Sequence, residues 1–230
     1  MIIKTLNTNE LVPDYFYIFT NRHSNKLSNQ IEIHNIGLRE GTLVSSGFSN
    51  VLYSDRQREK FLHGELDYLP FVKGKTTTIG TINPFLSRIT ERYTLEYNLE
   101  VYRSFNYKEF PSRFSGIFAF GDYESCKSIA RNRDWDIENV KRYKLRDLGS
   151  LNGYIKIIKT NFNIIGALEH YGTTMLTTQS REAIRDYWMG AGSITIPELK
   201  IDDDIMLPEK KCGVRWEYLI EGVLDEVLPQ

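Results

Sequence analysis

A chain of 230 residues with 41% hydrophobic and 13% aromatic side chains can build one large packed domain or two small ones. A formal net charge of -1 excludes a surface that is basic throughout, so any nucleic-acid contact has to come from a local patch. The two cysteines, Cys126 and Cys212, lie far apart in sequence without a CxxC or Cys/His grouping, and no apolar run is long enough for a signal peptide or a membrane span. These features predict a reducing, cytoplasmic setting, no zinc or other metal, and no membrane partner.

The aromatic and β-branched run Tyr15 to Thr20, after Pro13-Asp14, predicts a first strand that contains Tyr17. Asn21, Arg22 and His23 follow at its end, either presenting polar groups into a cleft or opening a solvated loop through Gln30. From Ile31 to Ser49 the apolar positions are broken by Gly37, Gly41 and Gly47, which predicts a weak strand or hairpin and then a loop. Asp55 to Leu66 predicts a helix with Phe61, Leu62 and Leu66 inward, ending before Pro70. Lys73 to Asn83 holds Gly74, three consecutive Thr and Gly80, but it lacks the first Gly of the Walker pattern and follows no strong buried strand. A flexible loop is expected there.

Pro84 suits the first turn of a helix, and the run to about Phe105 predicts the longest helix of the chain. Leu95, Leu99 and Tyr102 form its core stripe, and Glu96, Glu100 and Arg103 recur at i, i+4 and i+7 on the adjacent stripe. Residues 50–107 are therefore expected to be a largely helical insertion or subdomain within a single α+β domain over 1–230.

The stretch Glu109 to Gly121 is the most pointed in the sequence, because it sets Ser112, Arg113 and Ser115 between Pro111 and the apolar run Ile117 to Phe120. Pro111 biases Phe110 toward extended geometry, which predicts that the chain enters a strand here with Arg113 at its mouth. A guanidinium beside such a strand needs a carboxylate, a phosphate or solvent. Backbone carbonyls and a neighbouring Glu would also satisfy it.

Asp122 predicts an N-cap for a short helix over Glu124 to Arg131, followed by strands over Glu138 to Leu145 and, after the Asn152-Gly153 turn signal, Gly153 to Ile158. Lys127 to Arg146 carries seven Lys or Arg against three Asp or Glu, either a basic patch for nucleic acid or an acidic partner, or a solvated surface. Asn161 to His170 and Gln179 to Met189 predict two helices, with Tyr187 or Trp188 inward and Gly190 as a stop. A loop is expected next. The three aspartates Asp202 to Asp204 lack the spacing and glycine of a calcium loop, so they are not expected to hold a metal. Arg215 to Leu224 predicts a closing strand in which Glu217 lies among aromatics, an expensive place for a carboxylate without a partner or a task.

Four of these pieces, taken in order, resemble an uncharacterised bacterial and phage domain family. They are the Glu96, Glu100, Arg103 helix, Pro111-Ser112-Arg113, the Tyr-Trp-x-Gly helix end at Tyr187 to Gly190, and Glu-Tyr-Leu-Ile-Glu-Gly at Glu217 to Gly222. The match covers about Ile82 to Val227. That family tends to open with a Tyr-His strand, and the comparable Tyr17-Ile18 here lacks the His.

The order of parts also resembles the ADP-ribosyltransferase fold, which implies split, mostly antiparallel β-sheets with flanking helices and NAD as co-substrate. The resemblance implies a mono-ADP-ribosyltransferase acting on a protein or nucleic-acid target, with Glu217 and Arg113 as its catalytic residues, Glu217 as the catalytic glutamate and Arg113 binding the pyrophosphate. It implies Tyr17, Arg22, Ser112, Ser115 and Tyr187 as cofactor-binding residues, supported by Glu96, Glu100 and Arg103. The alternative is a non-enzymatic phage or mobile-element factor that binds a host protein or nucleic acid through the Lys127 to Arg146 region.

Overall fold

The structure, a computed structural model, describes residues 2–20, 42–45, 48, 55–64, 84–133, 135–171, 177–196, 198–202, 205–207 and 209–228. Arg22 and the stretch Lys73 to Asn83, expected as a loop, lie outside these residues.

The described strands are β1 (Phe16–Phe19), β2 (Thr42–Val44), β3 (Ile117–Phe120), β4 (Val140–Leu145), β5 (Lys156–Asn161), β6 (Ile194–Ile196), β7 (Leu199–Asp202), β8 (Ile205–Leu207), β9 (Lys210–Cys212), β10 (Trp216–Glu221) and β11 (Val223–Glu226). The helices are α1 (Asp55–Leu62), α2 (Pro84–Asn106), α3 (Tyr123–Arg133), α4 (Phe162–Tyr171) and α5 (Thr177–Trp188). The protein is thus α+β.

Seven strands pair antiparallel in the order β2-β11-β4-β1-β3-β10-β5, and β6-β9 and β7-β8 form two short ladders outside that sheet. The sheet is unevenly joined. Four register pairs tie β1 to β4 and four tie β3 to β10, but β1 and β3 share only Tyr17↔Phe120. A four-stranded half and a three-stranded half therefore meet at one residue pair. They are also linked by the chain itself, because β10 lies in the second half and β11 in the first, with Gly222 between them. Gly222 exchanges backbone and side-chain hydrogen bonds with Ser45, which fixes the crossing point.

Alternation along each strand sends successive residues to opposite faces. On one face Phe16, Ile18, Ala119, Tyr218, Ile220 and Leu224 pack with Phe48 and with Phe61 of α1. On the other face there are two separate apolar clusters. One joins Ile158 and Leu219 to Leu99 of α2, Ile164 of α4 and Tyr187 and Trp188 of α5, and the other joins Phe19 and Phe120 to Cys126 and Ile129 of α3. Both described helices of 50–107 thus pack on the sheet.

Two local expectations are corrected. Pro111 to Arg113 do not enter a strand: Gly116 N donates to the Ser112 carbonyl at 2.8 Å, closing a turn, and β3 begins only at Ile117. A glycine is required there, since a Cβ on Gly116 would come within 2.9 Å of that carbonyl and 2.6 Å of Leu219 Cδ1. The loop expected after α5 instead contains β6 to β9.

Candidate functional site

Paired residues on adjacent strands project to the same face, so register defines a row across the middle of the sheet. That row runs Arg142, Tyr17, Phe120, Glu217, Thr160. Glu217 is buried, and it sits one strand from the junction between the halves. Tyr17 lies two strands away, roughly 10 Å at ordinary strand spacing, with its ring 5.9 Å from that of Tyr123.

Arg113 reaches Glu217 from the turn. Its Nη1 stands 3.8 Å from Glu217 Oε2 and donates to the Tyr187 hydroxyl. Its other edge is taken by Glu96 of α2, with Nε and Nη2 each donating to a carboxylate oxygen at 2.6 Å. The guanidinium carbon lies 4.6 Å from the Phe118 ring centre and 5.1 Å from that of Tyr187. Burial works against the Arg113 cation, but Glu96, Tyr187 and Glu217 outweigh it and hold the guanidinium firmly charged. Burial raises the Tyr187 phenol well above its ordinary value, Arg113 opposes this and Glu217 adds to it, so the phenol stays protonated.

This geometry corrects one expected role. A guanidinium recognises a phosphate through its planar fork, and the Arg113 fork is occupied by Glu96. Arg113 therefore positions Glu217 and Tyr187 and does not offer a pyrophosphate clamp.

Glu100 and Arg103 act one step further back. They pair with each other at 2.7 Å, both buried, and Arg103 Nη1 donates to the carbonyls of Lys108 and Phe110 at 3.0 Å each. This bond set holds the turn that delivers Pro111, so their support of Arg113 runs through the backbone.

Ser112 and Ser115 are also reassigned. The Ser115 hydroxyl donates to Glu221 Oε1 at 2.6 Å, the Ser112 backbone N–H donates to the same oxygen at 3.3 Å, and Ser112 Oγ accepts from Phe114 N at 3.1 Å. Both side chains are buried and build the turn instead of facing a ligand. The sequence reading missed Glu221 as their anchor. Its signal was present, because Glu217 and Glu221 are four residues apart on one strand and so share a face.

Burial raises the Glu221 carboxyl, opposed by Ser115, Lys156 and the Ser112 N–H. Lys156, its register partner on β5, is lowered by burial, donates to the Phe61 carbonyl and lies 4.1 Å from the Phe61 ring centre. One strand thus carries two buried carboxylates with different surroundings, Glu221 against backbone and hydroxyls and Glu217 against Arg113.

Four of the seven cations of the basic stretch are paired with carboxylates. Lys127 pairs with Glu124, Arg133 with Glu169, Lys141 with Glu226 and Arg146 with Asp225. Among the described residues no cluster of His, Cys, Asp and Glu is grouped to hold a metal ion, and no helix is long and apolar enough to cross a membrane. A scan against protein-family models and a search of curated proteins find no match to this chain.

Proposed function

We propose that the protein is a mono-ADP-ribosyltransferase that takes NAD as co-substrate and uses Glu217 to face the reacting ribose. The observation that carries this reading is the placing of Glu217. A buried carboxylate held 3.8 Å from Arg113 lies beside the single register pair that joins the two halves of the sheet.

In this reading one end of the dinucleotide meets aromatic rings and a carboxylate. Phe118 and Tyr187 supply aromatic surface against Arg113, the partner of the carboxylate, Tyr17 adds a ring two strands away on the same row, and Glu217 supplies negative charge. When the glycosidic C–N bond breaks, its electron pair leaves with nicotinamide and positive charge develops on the ribose. Glu217 would accept a hydrogen bond from a ribose hydroxyl and stabilise that charge, a contact stronger in the transition state than in the ground state. The Arg113 guanidinium, itself bonded to the Tyr187 hydroxyl, holds the carboxylate in place, and an acceptor nucleophile then bonds the anomeric carbon and loses its proton. The binding-factor alternative rests on the cations of Lys127 to Arg146, of which Lys127, Arg133, Lys141 and Arg146 are held by carboxylates.

The test is incubation with NAD labelled in its adenylate half together with a cell lysate. Label on a macromolecule with release of nicotinamide, both lost in Glu217→Gln, is the expected result. Neither label nor release from the wild type overturns the proposal.

A further inference from the structure

Arg133, Lys211 and Arg215 line a groove of about 680 Å3 between the end of α3, the first turns of α4 and the link from β9 to β10. Phe162, Asn163, Gly213 and Asn132 line it too, and Glu169 is the one carboxylate among the described lining residues. Three cations against one carboxylate give the groove a positive field, which low-dielectric walls concentrate.

The cations are built in. The Arg133 guanidinium lies 5.4 Å from the Phe162 ring centre, bonds Glu169 Oε2 at 2.8 Å, and sits so close to α4 that a Cβ on Gly166 would come within 2.7 Å of Nη2. Glycine at that position lets the guanidinium settle against the helix. The backbone before Arg215 is clamped as well. Asn163 Nδ2 donates to the Gly213 carbonyl at 2.9 Å, and Asn161 Oδ1 accepts from Arg215 N at 3.1 Å. With its amide oxygen turned toward Arg215, Asn132 accepts from both terminal guanidinium nitrogens at 2.8 and 2.7 Å. Asn132 is neutral, and among the described residues no carboxylate pairs with Arg215 or Lys211.

We propose that this groove binds the diphosphate group of a nucleotide. Its volume falls in the range of roughly 300–1,000 Å3 usual for small-molecule sites, and Arg215, whose fork is held by the neutral Asn132 amide and not by a carboxylate as in Arg113, gains a stronger, charge-assisted bidentate bond by exchanging that amide for phosphate oxygens. A nucleic-acid track would need the positive field to continue along the surface, and Lys127, Lys141 and Arg146 nearby in sequence are matched by carboxylates. The anion site stands on this geometry alone. Its link to Glu217 rests on the transferase reading: Arg215 is two residues before Glu217, roughly 7 Å of extended chain, and the Arg113 fork is already held by Glu96.

Isothermal titration calorimetry at low salt with inorganic pyrophosphate, ADP and adenosine tests the site, using variants whose folding is confirmed by their melting curves. Pyrophosphate and ADP are expected to bind and adenosine to bind much more weakly. Arg215→Ala and the exposed Lys211→Glu should each weaken ADP binding by about tenfold or more, and Lys141→Glu, outside the groove, should not. Adenosine binding as tightly as ADP, no binding of either phosphate, or a Lys211→Glu protein that binds like wild type overturns the proposal. ADP binding retained in Glu217→Gln without any nicotinamide release from wild type upholds the groove and rejects the transferase reading. Nicotinamide release with a KM for NAD unmoved by Lys211→Glu and Arg215→Ala does the reverse.

Discussion

Arg113 is shared between two carboxylates on different elements, binding Glu96 of α2 through two 2.6 Å hydrogen bonds and standing 3.8 Å from Glu217 of β10. The two partners differ in exposure, with the Glu96 side chain 32% exposed and that of Glu217 4%. Arg113→Ala would leave Glu217 buried beside a cavity and should cost about 3–5 kcal/mol. Glu96→Gln keeps one acceptor for the fork and works nearer to solvent, so its cost should be on the order of 1 kcal/mol. Urea unfolding midpoints measure both, and equal losses would show that Arg113 is held for Glu96 alone.

Gly190 closes α5 with φ +68°, and its N–H donates to the Tyr187 carbonyl at 3.2 Å. A Cβ there would come within 2.7 Å of the Lys159 carbonyl. Gly190→Ala should therefore destabilise by at least about 1–2 kcal/mol from backbone conformation alone, with a lower Tm as the readout. An unchanged Tm would mean that the Tyr-Trp-x-Gly helix end does not depend on its glycine.

Stability should depend on pH through Glu221. Its folded value is raised above the ordinary 4.5, so the folded state holds that proton more tightly than the unfolded chain does. The contribution is fully present below pH 4.5 and is lost as pH rises through the raised folded value. Lys156 runs the other way, its folded value lying below 10.5, so its contribution is present above pH 10.5 and is lost as pH falls through the folded value. Urea titrations from pH 4 to pH 7 should show wild type losing ground to Glu221→Gln as pH climbs above about 4.5. A constant difference over that range would contradict the assignment.

Burial and the nearby Asp122 push the Cys126 thiol up to about 12. Iodoacetamide at pH 8 should leave Cys126 unmodified in the folded protein and alkylate it in urea. Rapid modification of the folded protein, located to Cys126 by mass spectrometry, would place that side chain outside the α3 core.

Much of the fold follows from local rules. The proline-started helix expected over Pro84 to about Phe105 is Pro84–Asn106, and the strand expected over Tyr15 to Thr20 is Phe16–Phe19. Short-range pattern cannot distinguish one strand from two consecutive ones joined at a glycine. Arg215 to Leu224 reads as a single apolar run, yet Gly222 divides it into β10 and β11, which pair in different halves of the sheet. At Pro111 the extended bias of the proline was outweighed by turn chemistry, the Ser112 carbonyl and the side-chain-free Gly116. The meeting of Glu96, Arg113, Tyr187 and Glu217 depends on contacts between distant segments, which no periodicity records. The costliness of a carboxylate in an aromatic strand was legible, and it drew attention to Glu217. The fork of Arg113 was misread because the sequence offers a phosphate and a glutamate equally well.

Glu217→Gln is close in size and keeps one oxygen, so the fold should survive while the negative charge is removed. Nicotinamide release from NAD by wild type and by this variant, each confirmed folded by its thermal melt, is the most direct measurement of the proposed chemistry. Release by wild type is expected, at a rate about two to three orders of magnitude above that of the variant. Release at equal rates, or none from wild type, would contradict that chemistry.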